Sequence, residues 1–415
     1  MSFVFERVTV VGLGYIGLPT AAVLASTGVK VLGVDINSDA VETINRGEIH
    51  IVEPDLDKLV RDTVANGNLR ASTTVEQADA FIIAVPTPFK GQHQPDISYV
   101  ESATKSIAPF LKKGDLVILE STCPVGTTEK MTQWLADARP ELKFPSEIND
   151  DTDINLAYCP ERVLPGKVLT ELISNDRVIG GITSNCSQRA QALYKQFVKG
   201  ECVLTEARTA EMCKLTENSF RDVNIAFANE LSLICEKLDI NVWELVRLAN
   251  RHPRVNILNP GPGVGGHCIA VDPWFIVDSA PELSKIISTA RAVNDGKPLF
   301  VVEQVQKAAA LYEAPTVACF GLAFKADIDD LRESPAVHIV QMLAQQGLQL
   351  LLVEPFIHAL PKNLANFDNV KLVSIEEALL KANVVVSLVD HTCFKEIDSA
   401  VLAKKAIVDA RGIWA

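Results

Sequence analysis

The stretch Val8-Thr-Val-Val-Gly12-Leu-Gly14-Tyr15-Ile16-Gly17-Leu-Pro decides the fold. Its β-branched start has the character of a buried strand, and the three glycines that follow have the spacing of a dinucleotide-binding turn opening onto a helix. Gly12 permits the tight turn, Gly14 leaves the backbone open to a pyrophosphate, and Gly17 lets helix and strand pack closely. The helix N-terminus then offers amides and a positive dipole to the phosphates. The next strand, 30–34, leads to Asp35, about 20 residues on, where a carboxylate holds the ribose hydroxyls and repels a 2′-phosphate. NAD is therefore expected rather than NADP.

Outward from this turn, apolar runs at 8–11, 30–34, 80–85 and 116–120 read as parallel strands, separated by helices at 18–26, 38–45 and 98–111. From Thr205 to about Leu238 neither proline nor glycine occurs, which predicts one long helix; a second follows at 242–250, then the glycine- and proline-rich loop 259–266. The βαβ rhythm returns after Pro315, with strands at 317–320, 348–353, 384–389 and 406–408 and helices at 334–346 and 375–381. The expected class is α/β: two doubly wound, Rossmann-like domains joined by a helical middle, with divisions at 1–204, 205–300 and 301–415. The turns Val11-Gly-Leu-Gly14 and Cys319-Phe-Gly-Leu322 hint at duplication.

The 415 residues carry a net charge of −13, which excludes a nucleic-acid partner held by overall charge, so any anionic ligand needs local basic groups and backbone amides. No apolar run is long enough to span a bilayer, and Glu6 and Arg7 interrupt the first one, so neither a membrane anchor nor a secretory signal is expected. The nine cysteines are scattered without a C-x-x-C pair, the pattern of a reduced cytoplasmic protein with no metal site and no disulfides.

Among those thiols, Cys268 in Gly265-Gly-His-Cys268-Ile-Ala-Val-Asp272 stands out. Two glycines admit a ligand and open a helical turn whose N-terminus favours a thiolate, with Asp272 at i+4 on the same face; an inert buried thiol is the bland alternative. On the long helix Lys214, Asn218 and Arg221 form one stripe, able to steady an alkoxide, although Glu211 one turn before Lys214 invites a solvated ion pair instead. Arg251, His252 and Arg254 make a basic patch or a solvated helix end. Thr87 and the segment from Glu120 through Thr122 to Thr128 lie where open α/β sheets bind ligands. Glu161 and Arg162 share a turn, and Lys325 and Arg332 follow the first strand of the second α/β unit; plain turn and cap roles remain open for each.

Taken together in order, segments 12–17, 120–126, 159–166, 211–221, 261–272 and 321–335 resemble the UDP-glucose/GDP-mannose dehydrogenase family over essentially the whole chain. Pro160-Glu161-Arg162, where the glucose branch has Pro-Glu-Phe, resembles the branch acting on 2-acetamido sugars. The resemblance implies a two-step oxidation of a UDP-sugar alcohol to a uronate with two NAD, through a thiohemiacetal and a thioester on Cys268. It implies that Lys214 and Asn218 steady oxyanions, that Thr122 and Asp272 place a water, and that Glu161 is the hydrolytic base. It assigns Arg162, Val163, Lys214, Asn218, Arg221, His252, Arg254 and Gly265 to the sugar-nucleotide pocket, and Tyr15, Ile16, Asp35, Thr87, Thr128 and Arg332 to NAD alongside Gly12, Gly14 and Gly17. Lys325 and Arg411 would reach the uridine diphosphate, and the long helix would be the core of a homodimer. It further implies a cytoplasmic enzyme of surface-polysaccharide synthesis, with the manno epimer expected and UDP-N-acetylglucosamine its rival. A 3-hydroxyacid dehydrogenase and a non-catalytic NAD-binding protein are the remaining alternatives.

Overall fold

A computed structural model describes residues 4–91, 93–146, 151–164, 166–266 and 268–414; Pro165 and His267, inside two of the motifs above, lie outside the described residues. The chain divides into two compact units, Met1–Thr216 with Trp274–Ser279, and Glu217–Pro273 with Ala280–Ala415.

The first unit is built on strands β1 (Arg7–Val11), β2 (Lys30–Val34), β3 (Leu69–Ser72), β4 (Ala80–Ile83), β7 (Leu116–Leu119), β8 (Asn155–Tyr158), β9 (Arg177–Gly181) and β10 (Cys202–Glu206), with a small hairpin of β5 (Phe89–Lys90) and β6 (Gln94–Pro95). The eight strands form one sheet in the order β10-β9-β8-β7-β4-β1-β2-β3. Its neighbours run parallel except β8 against β9, so the last two strands reverse direction. Successive residues serve opposite faces: Val10, Ile82 and Ile118 enter one apolar core while Val11, Ile83 and Leu119 enter the other.

The second unit holds a five-stranded parallel sheet in the order β13-β12-β11-β14-β15, from β11 (Thr316–Phe320), β12 (Gln349–Val353), β13 (Val370–Leu372), β14 (Val384–Ser387) and β15 (Ala406–Asp409). Duplication is real at the level of hydrogen bonds. Gly12 (φ 93°) donates to Val34 O at 2.8 Å, and Gly321 (φ 95°) donates to Val353 O at 2.8 Å. Leu13 N–H meets Asp35 Oδ2 at 2.8 Å, and Leu322 N–H meets Glu354 Oε2 at 2.7 Å.

The long helix is Ala207–Lys237, starting later than Thr205 because β10 continues through Glu206. A 25-residue helix, Lys285–Ala309, has no counterpart in the sequence reading, since Gly296 and Pro298 inside it mimic a break.

Candidate active site

The glycine turn has the geometry its spacing demands. A side chain on Gly12 would meet Ala84 O at 2.5 Å and one on Gly17 would collide with the Gly12 carbonyl, whereas Gly14 faces open space. The helix Gly17–Ser26 has no acidic residue in its first turn to compete for an anion. Asp35 stands at the end of β2 with Oδ1 on Asn37 N–H, and Tyr15 is exposed. Open space at Gly14, a helix N-terminus with no acid in its first turn and a carboxylate at the end of the next strand fit a bound NAD.

Beside it, the loops after β4 and β7 are stitched together. The Thr87 hydroxyl donates to Thr122 O at 2.6 Å, and Ser121 Oγ donates to Val85 O at 2.7 Å. One expectation changes here. Glu211 is fully buried and forms no solvated pair with Lys214: it accepts from Gly126 N–H at 2.6 Å, Thr128 N–H at 2.8 Å and the Thr128 hydroxyl at 2.7 Å, capping the helix Thr127–Ala138. Burial raises its pKa despite these donors. Thr128, assigned to NAD by resemblance, is itself buried and has its N–H and O–H committed to Glu211.

Glu161 is also buried. Its Oε2 accepts from Arg177 Nη1 at 2.9 Å and its Oε1 from Arg162 N–H at 2.6 Å. Arg162 reaches Asp176 O at 3.4 Å, and Val163 packs against the apolar core. The loop's far end is held by buried Glu53, which accepts from Gly166 N–H at 2.9 Å and Val168 N–H at 2.8 Å. Neither Arg177 nor Glu53 was visible as a site residue in the sequence: one is the opening residue of a strand, the other lies over a hundred positions from its partners. Cys159 is fully buried, and burial pushes its thiol up to about 12, which keeps it protonated and inert.

Of the nine cysteines, Cys268 alone is exposed. Its carbonyl accepts from Val271 N–H at 3.0 Å and Asp272 N–H at 2.9 Å, the helical turn expected from the sequence. Asp272 is buried, opens the helix Asp272–Ser279, and receives a hydrogen bond on Oδ2 from Asn218 Nδ2 of the long helix. Cys268, Asp272 and Asn218 thus belong to one connected cluster. Lys214 lies four residues before Asn218, both half-buried, and Arg221 is exposed further along. The loop leading to Cys268 is anchored where Gly261 N–H donates to Asn229 Oδ1 at 2.8 Å, and Gly265 lies so close to Glu333 O that a side chain would meet it at 2.5 Å. Arg251, His252 and Arg254 are exposed, with His252 Nδ1 accepting from Arg254 N–H at 3.3 Å.

The second unit brings Lys325 and Arg411 together in a small cleft, lined also by Gly263, Phe324 and Asp390. Asp390 pairs with Arg411 and was not anticipated. Arg332 forms a two-pronged pair with Asp330, through Nε at 2.9 Å and Nη2 at 2.6 Å. Among the described residues no group of three His, Cys, Asp or Glu side chains could hold a metal ion, and no helix is long and apolar enough to cross a membrane.

Comparison with known proteins places this geometry. Three profiles of the UDP-glucose/GDP-mannose dehydrogenase family match: the NAD binding domain over 6–198, the central domain over 208–296 and the UDP binding domain over 318–415. The chain belongs to this family and is an NAD-dependent nucleotide-sugar dehydrogenase. A UDP-N-acetyl-D-mannosamine dehydrogenase of Yersinia pestis is 64% identical over 99% of both chains. An NDP-N-acetyl-D-galactosaminuronic acid dehydrogenase of Ralstonia nicotianae is 61% identical over 99% of this chain and 96% of its own. Among solved structures, the UDP-N-acetyl-mannosamine dehydrogenase of Staphylococcus aureus is 43% identical with a TM-score of 0.85, covering 98% of this chain and 95% of that one. A 3-hydroxyisobutyrate dehydrogenase of Mycobacterium tuberculosis, at 15% identity over 72% of this chain and 95% of its own with a TM-score of 0.50, shares fold alone.

Proposed function

We propose that the chain oxidises UDP-N-acetyl-D-mannosamine to its uronate in the cytoplasm, as a homodimer, to supply an acidic unit for bacterial surface polysaccharide. The observation that carries the chemistry is the exposed Cys268 at the head of a helical turn whose Asp272 is held by Asn218. NAD, when bound, is the hydride acceptor for both oxidations. Cys268 Sγ adds to the aldehyde carbon, and after the second oxidation the sugar is an acyl group on sulfur, a good leaving group for attack by water. Asn218 and Lys214 donate to the oxyanions, Asp272 and Thr122 hold the water, and Glu161 takes its proton. Lys325 and Arg411 supply the cationic wall for the diphosphate, which a chain of net charge −13 must provide locally.

The sugar follows the relatives at 63–64% identity named for N-acetylmannosamine, with a galacto-configured substrate supported by those named for galactosaminuronic acid. The homodimer is supported by Phe220, Phe227 and Ile234, which recur every seven residues along the long helix at 70%, 55% and 45% exposure.

Purified protein offered the manno, gluco and galacto epimers of the UDP 2-acetamido sugar should release two NADH per molecule of the manno epimer. One NADH per sugar would refute the two-step chemistry, and two from another epimer would reassign the substrate. Cys268→Ser should retain aldehyde-level hydride transfer and form no uronate.

A further inference from the structure

The buried guanidinium of Arg177 is ion-paired with the candidate hydrolytic base Glu161 and, through the Tyr194 ring it covers, adjoins a second buried carboxylate, Glu120. Glu120, at the end of β7 and two residues before Thr122, is 2% exposed. Its Oε1 accepts from the Tyr194 hydroxyl at 2.6 Å, and its Oε2 from the Thr20 hydroxyl at 3.4 Å, on the helix of the glycine turn. Arg177, also 2% exposed, bonds Glu161 directly and stacks its guanidinium over the Tyr194 ring at 5.3 Å. Its positive charge reaches Glu120 as well, while the Glu161 charge repels it. Cys159, the remaining titratable group in this cluster, stays a neutral thiol. The cluster thus holds two acids and one guanidinium in a dry interior, where a second negative charge has no cation of its own.

We propose that Glu120 is a positioning residue for the hydrolytic step, setting through Arg177 how readily Glu161 takes up a proton. An Arg-paired carboxylate is by itself a weak base, because the guanidinium favours its ionised form. When Glu120 is ionised it draws on the same guanidinium and adds like charge beside Glu161, so Glu161 accepts a proton more readily; when Glu120 is protonated, Arg177 serves Glu161 alone. Burial pushes the Glu120 carboxyl up to about 7, with the Arg177 charge opposing, so the switch between these states falls at neutral pH. Thr20 ties the same carboxylate to the cofactor helix, and Tyr194 supplies the donor that steadies its charge.

This rests on Glu161 as the base, and the experiment separates the two. The turnover–pH profile is measured with NAD and UDP-N-acetylmannosamine for the wild type, Glu120→Gln, Tyr194→Phe and Glu161→Gln, with NADH counted per chain. Glu161→Gln should release up to two NADH per chain and stall as the thioester. Glu120→Gln should move the acid limb about one pH unit lower and reduce the plateau several-fold, with KM for both substrates unchanged. Tyr194→Phe, which deletes the hydroxyl that steadies the Glu120 charge and serves if the buried Gln variant does not fold, should move the limb the other way, to higher pH. A stalled Glu161→Gln alongside limbs in the other two variants that superpose on wild type would overturn the role of Glu120 and leave Glu161 standing. Full turnover by Glu161→Gln would remove both.

Discussion

Replacing Lys297 by Met should stabilise the protein at neutral pH. Lys297 lies on the helix Lys285–Ala309 with 5% exposure, its Nζ 2.7 Å from Ser232 Oγ and 4.2 Å from the Phe300 ring centre. Burial lowers its pKa from 10.5 to about 8, opposed only by the charge of Glu236. The unfolded chain therefore binds more protons than the folded one between about pH 8 and 10.5, so stability rises with pH across that window, and below pH 8 the full penalty is present. A gap of about 2.5 units at about 1.4 kcal/mol each makes that penalty about 3.5 kcal/mol. Met keeps the volume and removes the charge, forfeiting one hydrogen bond and the ring contact, together worth about 1–2 kcal/mol. Ser232 Oγ stays satisfied because it donates to Asn229 O at 2.6 Å. The expected result is a gain of about 2 kcal/mol at pH 7 and loss of the alkaline rise, read from urea midpoints at intervals between pH 7 and 10.5. A less stable variant at pH 7, or wild-type and variant curves that run parallel over the window, would refute the reasoning.

Glu211→Ala strips three donors of their acceptor at the start of the helix Thr127–Ala138 and should lower stability by about 2–4 kcal/mol, with Glu211→Gln in between, by chemical denaturation. Gly17→Ala places a methyl on the Gly12 carbonyl and should weaken NAD binding at least tenfold in a fluorescence titration. Asp35→Ser should cost about tenfold in NAD affinity and narrow the preference over NADP, read as the ratio of kcat/KM. Phe227→Glu, in the middle of the apolar stripe, should shift the protein toward monomer in sedimentation.

The sequence made the cofactor turn legible because glycine at positions 12, 14 and 17 answers purely local demands. Strands 8–11 and 30–34 were found to within a residue, since burial on both faces writes a continuous apolar run. Strands such as Leu69-Arg-Ala-Ser72 went unseen because a charge interrupts a run of four, and the helix Lys285–Ala309 because Pro298 outvoted its periodicity. The Cys268 turn and its i+4 aspartate were readable from spacing. The roles of Glu211, Arg177 and Glu53 were not, because their partners lie 16 to 115 residues away, and only folding shows that Glu211 faces a helix end rather than water.

The second copy of the strand–turn–acid arrangement is closed at its acid, whereas Asp35 of the first is only half-buried. Glu354 occupies the place that Asp35 holds in the first unit, yet it is 4% exposed, accepts from Leu322 and Ala323 N–H, and lies 3.1 Å from His391 Nε2. Although burial pushes its pKa up, the imidazole and these amides outweigh it and keep the pKa low. With that carboxylate plugged by an imidazole, the second turn offers a dinucleotide no free ribose acceptor, and the seat at Gly12–Gly17 is left to serve the proposed reaction. On the proposed chemistry, both oxidations run from that seat, vacated and refilled between hydride transfers.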